Sequence, residues 1–125
     1  MKVRDRIKIY KDDRSVEVEA LFDTGSAKSY LAERVAVKLG YEPYPKPVKV
    51  PLAVEDYLAE VVGDLPVYLE IAGYRLPERE LLGVIRKLRV EAVIGVNIME
   101  PYEIILEKDR VAFRRTPPRA HLFKL

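Results

Sequence analysis

A mostly β domain with one or two short helices is the fold class that the sequence predicts. Three observations predict it. Apolar and polar residues alternate from Val3 to Tyr10 and again from Val16 to Phe22. Later apolar runs are short and are separated by Gly, Pro and Asp turn residues. Only Leu31, Val35 and Leu39 repeat at helical spacing over a longer stretch. With 125 residues, nearly half of them hydrophobic, the chain suits one domain with a real core.

In order along the chain, Val3 to Tyr10 and Val16 to Phe22 read as two strands joined by the polar turn from Lys11 to Ser15. The second strand turns apolar on both faces at Leu21-Phe22, so its end should be fully buried. Asp23 to Ser26 is a loop by composition. The helix expected over Leu31 to Leu39 has Glu33 early and Lys38 late, which suits its dipole, and Gly40 to close it. Four prolines between Tyr41 and Pro51 predict an extended connector feeding a strand at Val48 to Val50. Leu52 to Val62 reads as a second hairpin around Val54-Glu55-Asp56. Val67 to Ile71 alternates, Ala72-Gly73 turns, and Tyr74 to Leu76 returns. Leu81 to Ile85 and Val93-Ile94 are buried-strand candidates, and Val96 to Glu100 is a short helix stopped by Pro101. Ile104 to Leu106 and Val111 to Phe113 form a last hairpin, and Thr116-Pro117-Pro118 ends regular structure. The division is a domain over 1–113 and a basic, apolar tail over 114–125, whose Leu122, Phe123 and Leu125 leave three readings open: packing on a dimer partner, a frayed chain end, or occupation of the substrate cleft.

Composition excludes several function classes. Without cysteine there are no disulfides, thiolate metal sites or cysteine nucleophiles. The single histidine, His121, lies in the tail with no second ligand beside it, so neither a histidine metal site nor a Ser-His-Asp triad is expected. The 22 basic and 20 acidic residues leave a net charge of +2, and the excess lies in the tail, so the body is no nucleic-acid footprint. No run approaches the roughly 18 apolar residues of a membrane span, and Met1 to Tyr10 lacks the apolar centre of a signal peptide. A cytoplasmic protein with no cofactor, no metal and no membrane partner is the expectation. No Gln and a single Asn, among many Glu, Lys and Arg, suggest a thermophile.

The chemistry lies in Asp23-Thr24-Gly25-Ser26, which emerges from the apolar approach Ala20-Leu21-Phe22. Gly25 lets backbone come close, and the Thr24 hydroxyl is able to lock the loop. Further on, Ala92-Val93-Ile94-Gly95 is a second apolar run ending in glycine. Together these segments resemble the two motifs of the retropepsin-like aspartic proteases. Ser29 to Gly40 is similar to the helix that follows the first motif in retrotransposon members. The resemblance spans roughly residues 5–113. It implies the retropepsin-like acid-protease fold, a small closed β-barrel-like domain, and an aspartic peptidase, a hydrolase that needs no cofactor.

The same resemblance implies the roles. Asp23 would be the catalytic carboxylate, supported by Thr24, Gly25 and Ser26. Ile94 and Gly95 would form the structural second motif. Ala27, Leu52, Ala53, Val54, Tyr57 and Ile94 would contact a peptide or protein substrate. The family's mechanism uses two aspartates sharing one proton, and this chain has one such motif, so the second would come from a homodimer partner. Retroviral members carry an acidic residue where this chain has Ala27 and an arginine where it has Val96. Both halves of that pair are absent together, which points to the cellular or retrotransposon-like branch. Family flaps are often glycine-rich, and residues 52–58 contain no glycine. Three other readings stay open: an ordinary turn in a small β domain, a catalytically inactive dimeric binding or assembly module, and the phosphate loop of sugar kinases and actin-like ATPases.

Overall fold

The structure is a computed structural model and describes residues 1–52 and 58–115. Its first hairpin joins β1 (Lys2–Lys11) to β2 (Arg14–Asp23), paired without a slip from Lys2 opposite Asp23 to Lys11 opposite Arg14. The turn is tighter than the sequence suggests, because Asp12 takes a left-handed conformation at φ 54°, which aspartate tolerates better than most residues.

β3 (Tyr30–Ala32) follows the Asp23 loop, then α1 (Glu33–Leu39), β4 (Glu42–Pro51) and the 14-residue β5 (Leu58–Ile71). The chain continues through β6 (Tyr74–Arg75), β7 (Glu80–Ile85), β8 (Ala92–Ile94) and α2 (Val96–Met99). A separate hairpin, β9 (Ile104–Leu106) with β10 (Val111–Phe113), ends the described chain. Six strands close into a barrel in the order β1-β2-β8-β3-β7-β5, with β5 returning to β1. β4 and β6 hang on β5 outside the ring. The expected mostly β fold with a small closed barrel and short helices is therefore observed.

Two elements differ from the sequence expectation. The helix begins at Glu33, because Tyr30, Leu31 and Ala32 form a strand inserted between β7 and β8. All three side chains are buried, so both faces of the strand are covered and its backbone is paired on both edges. A helix would bury only one face there. Ala32 precedes α1 without a capping hydrogen bond; such a cap is typically worth about 1 kcal/mol. The proline-rich connector is itself strand, β4, paired with β5 on both sides of an irregularity between Pro43 and Val48. β4 ends the sheet order and is an edge strand, the place in a sheet where Pro43, Pro45, Pro47 and Pro51 are tolerated.

The barrel interior is filled by the buried residues of its strands. Ile7, Ile9, Phe22, Leu31, Leu65, Leu69, Ile71 and Leu82 are all fully buried. Val35, Ala36 and Leu39 press the inner face of α1 onto this core. The second hairpin expected over Leu52 to Val62 is placed differently: its arms are β4 and β5, so the first lies before Leu52, and Pro51 stands opposite Leu58 at the last described pair. Its tip, and with it Ala53, Val54 and Tyr57, lies outside the described residues. So does the tail from 116 to 125. Arg114 and Arg115, its first two residues, both pair with Glu103 of the body.

Candidate active site

The site is made where β2 ends. β8 lies between β2 and β3, parallel to the strand that enters the Asp23 loop and antiparallel to the strand that leaves it. Phe22 stands opposite Ile94, and Tyr30 stands opposite Val93. The two motifs, some seventy residues apart in sequence, thus meet side by side.

Asp23 is 1% exposed, although it is the last residue of its strand. Its Oδ1 accepts the Gly25 N–H at 2.8 Å. Its Oδ2 is the buried side-chain oxygen that finds no hydrogen-bond partner among the described residues. Buried polar atoms are nearly always paired, so an orphan of this kind marks a place where a further group belongs. Gly25 keeps the loop tight: a Cβ there would press to 3.2 Å from Asp23 Oδ1. Thr24 and Gly25 form the exposed crest above the buried carboxyl. In the single chain the Thr24 hydroxyl donates to the Met1 carbonyl at 3.3 Å.

The rest of the loop is fastened to the second motif. Ser26 N–H donates to the Asp23 carbonyl at 3.0 Å, and the Ser26 carbonyl accepts Val96 N–H at 2.8 Å. Ser26 Oγ donates to the Lys28 carbonyl at 2.7 Å. Gly95 lies so close to this loop that a Cβ would fall 2.3 Å from the Lys28 carbonyl and 2.4 Å from that of Ser26. Glycine is therefore required there by contact with backbone.

Two further residues take part that the motif reading did not single out. Ser29, 2% exposed, accepts the Gly95 N–H at 2.9 Å and donates to Asn97 Oδ1 at 2.8 Å. Asn97 is the sole asparagine of the chain, and that rarity was the one available signal. With Ala27 and Val96 lacking the charges of the retroviral pattern, this neutral pair and the backbone bonds join the motifs instead. Arg34 of α1 adds a clamp from outside, donating to the carbonyls of Leu88 (2.6 Å) and Arg89 (3.3 Å) just before β8.

The structure thus brings together Asp23, Thr24, Gly25, Ser26, Ile94 and Gly95. Ala27 is exposed beside them. Leu52 and Ile94 are 7% and 0% exposed and pack in the core, so neither offers its side chain to a ligand in the single chain. Among the described residues, no cluster of three or more His, Cys, Asp or Glu side chains is placed to hold a metal ion, and no helix is long and apolar enough to cross a membrane.

Among known proteins, no protein-family profile and no curated protein sequence matches this chain. Solved structures do match. The retroviral protease-like domain of Ddi1 from Leishmania major superposes with a TM-score of 0.64 at 16% identity, over 91% of this chain and 90% of that one. The EIAV protease complexed with the inhibitor HBY-793 superposes with a TM-score of 0.60, also at 16% identity, over 86% of this chain and 94% of that one. These likenesses establish the retropepsin-like fold.

Proposed function

We propose that this chain is one half of a homodimeric aspartic endopeptidase, in which Asp23 and the partner's Asp23 activate water against a peptide bond. The single observation that carries the reading is the state of Asp23. It is buried at a strand end, one oxygen is fixed by Gly25, and the other has no partner among the described residues. An ordinary turn aspartate would be solvated or would cap nearby donors with both oxygens. The dimer is supported by the closed ring of strands, which leaves no second lobe within the described chain, and by the exposed crest at Thr24 and Gly25.

In such a dimer the two carboxyls lie about 3 Å apart and hold one proton between them, because two charges at that distance repel strongly. The ionised carboxylate takes a proton from water as the water oxygen bonds to the carbonyl carbon. The protonated one donates to the carbonyl oxygen. Collapse of the tetrahedral intermediate breaks the C–N bond, and the amine leaves with a proton returned by the dyad. The paired absence of charge at Ala27 and Val96 supports the cellular or retrotransposon-like branch.

The test is Asp23→Asn, which keeps the shape and removes the ionisable group. Cleavage of peptides should drop by more than about a thousandfold, with circular dichroism and dimer mass unchanged. Inhibitors whose hydroxyl mimics the tetrahedral intermediate should bind wild type more tightly than the variant. Equal cleavage by both proteins contradicts the assignment.

A further inference from the structure

A groove of about 350 Å³ adjoins the Asp23 loop. It runs from Lys28 and Ser29, at the end of the loop, to β4, β5 and β7. Its walls are mainly apolar, with Tyr30, Val48, Val50, Val61 and Leu81. Val48 and Leu81 are 51% and 60% exposed, a poor position for large aliphatic side chains unless something covers them. The groove is at the small end of ligand-binding clefts, a size that suits one side chain of an extended peptide.

Two charged residues border the apolar walls. Asp64 is half-buried, and its Oδ2 accepts the Tyr44 hydroxyl at 3.3 Å, so its charge already has a donor. Lys28 is exposed, stands five residues after Asp23, and has no ion-pair partner among the described residues. The free charge of the groove is therefore the cation on the catalytic side.

Resting on the peptidase reading above, we propose that this groove sets substrate choice: it seats a large apolar side chain on Val48, Val50 and Leu81, and Lys28 pairs with an acidic residue next to it. The substrate class is a peptide with an apolar residue flanked by Asp or Glu. Burial of the exposed aliphatic walls supplies affinity, and the ion pair at the rim supplies discrimination.

The probe is a set of fluorescent peptides with one leucine flanked, on either side in turn, by Glu, Gln or Lys. Anisotropy measures their binding to the full-length Asp23→Asn protein. The Glu peptide should bind about threefold to fivefold more tightly than the Lys peptide on one side, with the gap narrowing as salt rises. Adding Lys28→Glu should reverse the order, and replacing the leucine by serine should weaken every peptide. A charge preference unchanged by Lys28→Glu, equal binding of leucine and serine peptides, or no binding by any peptide overturns the proposal. Because this protein does not need to cleave, a wild type without peptidase activity would remove the catalytic reading and leave the binding result standing.

Discussion

Asp23 Oδ2 finds no hydrogen-bond partner among the described residues, in a loop whose other polar groups are largely tied down. Holding one carboxyl in place depends on neighbours that never touch a substrate. Ser29→Ala would strand the buried Gly95 N–H and take the donor from Asn97 Oδ1, a loss of about 1–3 kcal/mol in chemical denaturation. Asn97→Ala should overlap with it, so the double variant should cost clearly less than the two singles added. Full additivity would show that the pair does not act together. Gly95→Ala forces a Cβ into the carbonyls of Lys28 and Ser26, and a destabilisation of about 1–3 kcal/mol is expected, with cleavage falling as the loop shifts; a variant with unchanged melting and activity would refute that tight contact. At this scale the sequence revealed Asp23, Gly25 and Gly95, because a motif is a local pattern. It hid Ser29, Asn97 and Lys28. The first two matter through a hydrogen bond spanning 68 residues, and the part proposed for Lys28 depends on a groove built from other strands.

At the level of elements, strands were legible wherever one face is buried and the other wet. β1 and β2 alternate cleanly, and the pairing of Ile7 with Val18 and Ile9 with Val16 follows from that pattern. β3 was not legible: buried on both faces, it does not alternate, and Leu31 falls four residues before Val35 as it would in a helix. β4 was legible only in part, since its prolines read as a connector until pairing with the neighbouring β5 shows it to be an edge strand. One inter-element contact predicts a pH effect. Glu80 opens β7 and accepts the Tyr102 hydroxyl at 3.1 Å. Burial raises the Glu80 pKa, the Tyr102 hydrogen bond pulls it down less strongly, and the charge of Glu78 raises it further. The folded state therefore keeps a proton that the unfolded state has already released, so this residue's contribution to stability falls as pH rises from the ordinary carboxylate range through the raised folded value. Glu80→Gln should melt higher than wild type above that window and together with it below. A variant that melts lower at neutral pH would show that the charged Glu80–Tyr102 bond outweighs the burial cost.

The whole molecule is a closed barrel that presents one buried carboxyl beneath an exposed loop crest. Closure fixes the loop because β8 is held between β2 and β3, leaving Asp23 little freedom to relax. If the described chain supplies one carboxyl of the proposed two-carboxylate site, assembly and activity are expected to rise together. Dilution below the dimer dissociation constant should abolish cleavage in parallel with the loss of dimer mass in light scattering, and full activity in a monomer would break that link. The most direct test mixes wild-type and Asp23→Asn subunits, allows them to exchange, and follows cleavage as the wild-type fraction is varied at constant total protein. If each active site needs Asp23 from both chains, mixed dimers are inactive and the rate falls as the square of the wild-type fraction. A rate that falls in simple proportion to that fraction would mean that each chain works alone, and would contradict the shared dyad.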